Sequence, residues 1–551
     1  MNTCKKYCIY TLLLLILPAL AFGARKVKLH TIGDSTMEQQ DPNVKDQRGW
    51  VQMLQSFFTK DLTVIDPAKS GTSTKTYYKN GYWAKAKKNI QPGDYVLIQF
   101  GHNDEKHNGK DGETGTFPTD SFRIYLTKYV QEVRELGAHP ILCTPVVRKM
   151  FDKSGKLTRR GKHDLGEIYK QNVDANFDSK DTFTLSYPEN IKFVANQMQC
   201  PLIDMTSLTA KLINDMGEEK AQSFIYNLPS DGTHFGANGA LLFSKLFIDD
   251  IKRQNILTDY INYQKKLITN PGSILINRAF IGTECKSIFD VGYLGEDERK
   301  RHVKILASPG IKLKRSADAS PTNELDIDYS SGNACKVYLV CVPQMAGVIN
   351  GQITITANGE KNLIPVKINV ENIVDKQPFS VVYKLATTST AEISGPVSAL
   401  DEMWKGTELI KYGVPENGNP AFMARVQNNN ISGGSWPANE IDIVYSRYLQ
   451  FGLNASTLGS AVVRDLEITV GGGTNFRIMA SFSADFSNAF TVGEAADVQS
   501  MDMQKYHFPL VQEVASGKKI YFRIYPWTNK RFKQQSVNLY DLRISGLCKK
   551  G

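Results

Sequence analysis

The 551-residue sequence holds no C-x-x-C pair among its eight cysteines, so zinc-ribbon and thioredoxin-like redox readings have little to stand on. Its longest apolar run falls short of the ~20 residues needed to span a bilayer. There is no basic-aromatic stripe of the kind that tracks nucleic acid, and no stretch with the composition of a disordered tail. Nucleic-acid partners, a membrane span in the mature chain and a metal or organic cofactor are therefore not expected. What is present is ordinary globular material, 41% hydrophobic and 22% charged, with a formal charge of +10.

A chain this long exceeds what one hydrophobic core usually supports, which predicts several domains. The start reads as a signal peptide over residues 1–24. Lys5 and Lys6 precede an apolar run from Ile9 to Leu17, and Ala19, Ala21 and Ala24 offer cleavage points. An exported protein, periplasmic or secreted, is expected. Loss of residues 1–24 removes two lysines and no acid, leaving +8, a mildly basic surface that would favour an acidic polymer. Six cysteines remain, and export would permit disulfides. Cys335 and Cys341 share a face if that segment is a strand, and Cys285 could reach either.

From residue 26 to about 255, short apolar segments alternate with amphipathic ones, the pattern of an α/β domain with a parallel sheet covered by helices on both faces. Strands are predicted at Val27–Ile32, Leu62–Asp66, Tyr95–Phe100, Pro140–Thr144 and Pro201–Asp204. Phe122, Leu126, Tyr129, Val130 and Val133 fall on one helical face that Gly137 terminates, and Ala237–Arg253 reads as a closing helix. Past about residue 265, β-branched alternating runs separated by Gly, Asn and Pro predict all-β structure. Turns are placed at Asn350-Gly351 and Asn358-Gly359, and at the Gly471–Gly473 run. The expected division is an α/β domain over 25–262, an immunoglobulin-like β-sandwich over 263–373, and a C-terminal β-sandwich over 374–551.

Chemistry concentrates at the predicted strand ends. Gly33-Asp34-Ser35-Thr36 follows the first strand, and open α/β sheets bind ligands at that edge. A serine hydroxyl is too weak an acid to attack a carbonyl unaided; it needs a base in hydrogen-bond reach and donors for the developing oxyanion. The candidate base is His234 in Asp231-Gly232-Thr233-His234, just ahead of the closing helix, where Asp231 can hold the Nδ1–H tautomer and leave Nε2 free. Read alone, that Asp could equally cap the helix. Oxyanion donors are suggested in Ser70-Gly71-Thr72-Ser73, through the Gly71 N–H, and in Gly101-His102-Asn103-Asp104, through the Asn103 side-chain NH₂. Each segment could also be a plain turn. Together they place four complementary parts on one sheet edge.

These blocks, in this order, resemble those of SGNH (GDSL-like) hydrolases. The chain is similar to the rhamnogalacturonan acetylesterase branch in particular, through Ala68–Ser73, through Pro92–Phe100 leading into Gly101–Asp104, and through Thr144–Arg148. The resemblance covers about residues 26–255. It implies Ser35 as nucleophile, His234 as general base, Asp231 as its orienter, and an oxyanion hole of the Ser35 and Gly71 N–H groups with Asn103. The implied reaction is removal of O-acetyl groups from a pectin backbone without a metal, with an acetylated polysaccharide as partner. Thr72 stands where this branch often has Arg, which spares the catalytic set but bears on a substrate contact. The region after 376 resembles, more loosely, the β-sandwich of exported pectin-degrading enzymes of Bacteroidetes, through Tyr448–Phe451 and Tyr521–Trp527, and Trp527, Tyr525 and Tyr506 could either stack on sugars or lie buried.

Other arrangements fit less well. The spacing of His102 and His107 matches no helical zinc site. Cys143 and Cys200 read as inert core thiols, and His163-Asp164 as a solvated helix face. Two rival classes remain: an SGNH enzyme for another ester, such as acetylated xylan, a lipid or a thioester, or a non-catalytic carbohydrate-binding relic, against which the complete Ser, Asp, His, Gly and Asn set argues.

Overall fold

Five parallel strands carry the first domain: β1 (Val27–Gly33), β2 (Leu62–Ile65), β3 (Tyr95–Gln99), β4 (His139–Cys143) and β5 (Leu202–Ile203). In the sheet they are ordered 2-1-3-4-5, and every pairing among them is parallel. The computed structural model describes residues 26–43, 46–106, 113–169, 182–226, 228, 231–295, 301–372, 374–384, 391–411, 422–426, 437, 440–471, 475–495, 504–527 and 537–551. The segment 1–24 predicted as a signal peptide, His107 and the end of the Gly471–Gly473 run lie outside these residues.

Strand side chains alternate between two cores, as parallel strands covered on both faces must. Leu29, Leu97, Ile141, Cys143 and Ile203 face one side, where they meet the 3-10 segment Trp50–Phe57 and the helices Met205–Met216 and Ala237–Arg253. Ile32, Val96, Ile98 and Leu142 face the other, against the helices Thr74–Lys79, Tyr82–Lys87, Ser121–Glu135 and Tyr187–Gln197. The helices of six residues or more are α1 (Thr74–Lys79), α2 (Tyr82–Lys87), α3 (Ser121–Glu135), α4 (Tyr187–Gln197), α5 (Met205–Met216) and α6 (Ala237–Arg253). The predicted α3 face is fully buried, and Gly137 follows the helix with φ of 70°. This is a three-layer α/β/α domain. Because β1 lies between β2 and β3, their three carboxyl ends, and the loops that leave them, are neighbours.

The middle region is two sheets around one core. Strands β6 (Leu267–Asn270), β8 (Cys285–Tyr293), β10 (Lys312–Lys314) and β12 (Asn333–Cys341) form one sheet, in the order 10-12-8-6. Strands β7 (Ile274–Phe280), β9 (Arg301–Ala307), β11 (Glu324–Tyr329), β13 (Gly347–Ala357) and β14 (Glu360–Glu371) form the other, in the order 11-9-13-14-7. Asn358 and Gly359 adopt φ of 50° and 81° and make the expected hairpin turn. Asn350-Gly351 does not turn. It lies inside β13, whose pairing with β14 runs unbroken from Gly347 to Ala357, so a long ladder overrides a local turn preference. Cys285 lies opposite Cys341 in the β8–β12 ladder, and all six cysteines among the described residues carry free thiols.

The C-terminal region is again two mainly antiparallel sheets around a shared core. The all-β structure expected there includes the strands Tyr448–Ala455, Gly459–Gly471, Asn475–Ser481, Lys519–Trp527 and Val537–Lys550. Trp527 and Tyr525 are buried and Tyr506 packs edge-on against Phe476, so the first two have no face to offer a sugar. Among the described residues no helix is long and apolar enough to cross a membrane.

Leu97 sits at the centre of β3 with no solvent exposure. Leu97→Ala should cost about 2–5 kcal/mol through lost contacts and the cavity left behind, read as a lower melting temperature in thermal unfolding followed by circular dichroism.

Candidate active site

β1 delivers Ser35 to the sheet edge, and a buried polar web fixes the turn that follows. Asp34 Oδ1 accepts hydrogen bonds from the Thr36 N–H (3.0 Å) and the Thr36 hydroxyl (2.8 Å). Gln99 at the end of β3 donates to the Thr36 hydroxyl oxygen (2.9 Å) and accepts from the Trp50 indole (3.0 Å). Asp34, Thr36, Gln99 and Trp50 are all buried, so each of these bonds satisfies a group that would otherwise be orphaned. From the far side, Gln47 donates to the Ser35 carbonyl at 3.0 Å.

The Asp231–His234 loop arrives from the other end of the domain. Asp231 Oδ1 accepts from the Thr233 and His234 N–H groups, both at 2.8 Å, and Oδ2 accepts from His234 Nδ1 at 2.7 Å. A carboxylate only accepts, so Nδ1 holds the proton and Nε2 is left as an acceptor. That nitrogen lies 2.8 Å from the Ser35 hydroxyl oxygen. Burial alone would raise the Asp231 pKa, but the bond and charge of His234 and the two N–H donors outweigh it and hold the carboxyl well below the usual range. The side chains of His234 and Asp231 are 22% and 31% exposed, open enough for a substrate to reach them.

Gly71, at the tip of the loop after β2, has φ of 79°, a conformation that favours glycine. A side chain there would meet nothing within 4 Å, so the space in front of its backbone is open. Asn103, buried on the loop after β3, donates one amide hydrogen to the Thr72 carbonyl (3.0 Å), which orients its NH₂ group and ties the two loops together. The Thr72 hydroxyl turns inward to the Lys69 carbonyl (2.7 Å) and does not point to solvent. The structure thus gathers Ser35, Asp231 and His234 in one hydrogen-bonded line, with the Gly71 and Asn103 loops linked beside the nucleophile turn.

Several supporting contacts leave no mark in the sequence. Glu38 accepts from the Ser70 N–H (2.9 Å), the Ser70 hydroxyl and the Lys69 ammonium (2.9 Å), which joins the nucleophile turn to the Gly71 loop. Arg148 donates to the Thr233 hydroxyl and to the His102 carbonyl (2.8 Å), and the Lys149 N–H donates to the Gly232 carbonyl (2.9 Å). The segment after β4 therefore grips the loop that carries His234. His163 corrects the expectation of a solvated helix face. It is fully buried at the end of a 3-10 turn, hydrogen-bonded to Glu105 and to the Val146 carbonyl (2.8 Å), because the turn points its ring inward under the site. Cys143 and Cys200 are buried, and burial raises both thiols, that of Cys200 to about 11, so neither supplies a thiolate. Among the described residues, no group of three or more His, Cys, Asp or Glu side chains is arranged to hold a metal ion.

Residues 31–242 match the GDSL-like Lipase/Acylhydrolase family. The rhamnogalacturonan acetylesterase RhgT of Bacillus subtilis (strain 168) is 30% identical over 249 residues, which is 43% of this chain and 95% of that protein. The chain belongs to the GDSL-like acylhydrolase family. The probable rhamnogalacturonan acetylesterase YesY of the same organism is 29% identical over 42% of this chain and 96% of its own length. The rhamnogalacturonan acetylesterase of Emericella nidulans is 23% identical over 40% of this chain and 82% of its own. This GDSL-like chain is accordingly a carboxylic ester hydrolase, and the matched segment contains Ser35, Gly71, Asn103, Asp231 and His234.

A second Asp–His pair lies beneath the turn of this acylhydrolase. His102 Nδ1 and Asp34 Oδ2 are 3.2 Å apart, and both side chains are buried. Burial lowers the His102 pKa to about 4, against the opposing pull of Asp34. The unfolded chain takes up this proton near pH 6.5 and the folded chain only near 4, so in that window the unfolded state binds more protons and stability falls as pH falls. Wild type should lose roughly 3 kcal/mol between pH 7 and 4 from this group, and His102→Gln should show a flatter melting temperature against pH over the same window.

Proposed function

We propose that this chain is an exported SGNH acetylesterase that removes O-acetyl groups from pectin, with rhamnogalacturonan as its substrate, by a Ser-His-Asp acyl-enzyme mechanism. The observation that carries the reading is the line from Asp231 through His234 to Ser35, with contacts of 2.7 and 2.8 Å. In the proposed sequence, Ser35 Oγ attacks the acetyl carbonyl carbon as its proton passes to His234 Nε2. The tetrahedral oxyanion is received by the Ser35 and Gly71 N–H groups and the remaining amide hydrogen of Asn103. His234 then returns the proton to the departing sugar hydroxyl. Water, deprotonated by the same nitrogen, attacks acetyl-Ser35, releases acetate and restores the hydroxyl. Asp231 stays ionised throughout and holds the imidazole in its working tautomer.

The choice of substrate draws support from the names borne by RhgT, YesY and the Emericella nidulans relative. Export draws support from Lys5, Lys6 and the apolar run after them. The division into an esterase domain over 25–262 and β-sandwiches over 263–373 and 374–551 belongs to the same reading.

Acetate release from acetylated rhamnogalacturonan, acetylated xylan and a nitrophenyl acetate checks it. Wild type should prefer rhamnogalacturonan, and Ser35→Ala should lose about three orders of magnitude or more in kcat on every substrate that wild type turns over. Equal release by the two proteins would remove Ser35 as nucleophile. Preference for xylan would keep the mechanism and move the substrate.

A further inference from the structure

Within four residues, the segment Gln47–Trp50 touches both halves of the site. Gln47 donates to the Ser35 carbonyl (3.0 Å), the Arg48 N–H donates to the carbonyl of Phe235 (3.0 Å), which follows His234, and the Trp50 N–H donates to the Thr36 carbonyl (2.9 Å). The guanidinium of Arg48 bridges two regions: its Nη1 donates to the Gln47 carbonyl at 2.9 Å, and its other two nitrogens reach across to the middle sandwich. It is held by Asp290 of β8, in the middle sandwich, through Nε–Oδ2 at 2.6 Å and Nη2–Oδ1 at 3.1 Å. Both side chains are buried, at 1% and 0% exposure, and Asn270 of β6 donates to Asp290 at 3.1 Å. The paired N–H donors of arginine match the two carboxylate oxygens, which fixes direction as well as distance.

The same sheet receives helix α6, the helix directly behind His234: the Ala334 N–H donates to the side-chain oxygen of Asn238 (2.7 Å), and a side chain at Gly292 would collide with Leu241 at 2.8 Å. The core on that side of the α/β domain runs on without a break into Ile268 and Leu294 of the middle region.

We propose that Asp290 is a positioning residue for the ester-cleaving site, supplied by the middle β region: through Arg48 it sets the segment that locates both the Ser35 turn and the His234 loop. The middle sandwich is thus part of the working site and not a detachable appendage. The proposal rests on the reading of Ser35 and His234 given above.

The test uses the full-length chain and a nitrophenyl acetate, which needs no sugar contact. Four variants are compared with wild type for kcat, KM and melting temperature: Asp290→Asn, the apolar double variant Arg48→Met/Asp290→Leu, Ser35→Ala, and Ser56→Ala. The last breaks another contact between the two regions, Ser56 to Thr269, away from the site. Asp290→Asn and the double variant should lose about tenfold to a hundredfold in kcat, the scale expected of a displaced catalytic group, with KM nearly unchanged. Ser56→Ala should keep the wild-type kcat while melting lower. A wild-type kcat in a folded Asp290→Asn or double variant, beside an inactive Ser35→Ala, overturns the positioning role and leaves the site reading intact. An active Ser35→Ala would instead overturn the site reading on which the proposal rests. Insolubility of both Asp290 variants would make the pair a folding element and overturn the proposal as well.

Discussion

Everything in the esterase domain follows from holding one hydroxyl 2.8 Å from one imidazole that lies 199 residues further along the chain. No local preference produces such a contact; only a rigid frame does. The parallel sheet supplies the coarse part of that frame by placing the ends of β1, β2 and β3 side by side. The fine part is polar and buried. Asp34, Thr36, Gln99 and Trp50 lock the nucleophile turn, Glu38 binds it to the Gly71 loop, and Arg148 with the Lys149 N–H holds the loop of His234. A buried polar web of this sort is costly unless each member is satisfied, and once satisfied it admits few alternatives.

The frame does not end at the α/β domain. Removing either partner of the Arg48–Asp290 pair would leave a buried charge without its counter-charge, so the two regions cannot part there without a penalty. Relatives such as RhgT, matched over 95% of their length by 43% of this chain, have no room for the two β regions. The contact is therefore a property of this chain's architecture and not a requirement of the family. Here the middle β region covers that part of the esterase domain, through Arg48–Asp290 and the Ala334–Asn238 bond.

Much of this was legible in the sequence, for identifiable reasons. Strand ends announce themselves because an apolar run stops at Gly, Asn or Asp, and the helical face from Phe122 to Val133 repeats at the helical period. Ser35, Gly71, Asn103, Asp231 and His234 each stand in such a punctuated position. The contacts that were missed share the opposite property. Glu38 finds Ser70 at a separation of 32 residues, His163 finds Glu105 at 58, Arg148 finds Thr233 at 85, and Arg48 finds Asp290 at 242. Pairings over such distances leave no periodic mark. Asn350-Gly351 failed in the reverse sense: its local signal was genuine, and an eleven-residue ladder prevailed over it.

Two Asp–His pairs lie close together in this domain, and their surroundings separate their roles. Asp34–His102 has almost no exposure, its Asp34 also accepts from Thr36, and the free Nε2 of His102 has no hydrogen-bond partner among the described residues. With its pKa pushed down to about 4 by burial, that imidazole stays neutral at ordinary pH, and no hydroxyl faces it to be activated. Asp231–His234 sits at the surface, and its outer nitrogen meets a serine. Proton transfer to a substrate requires a base that substrate can reach, which the buried pair is not. The same two residue types therefore serve as a structural strut in one place and as the proposed proton carrier in the other, and the difference lies wholly in burial and in what the far nitrogen faces.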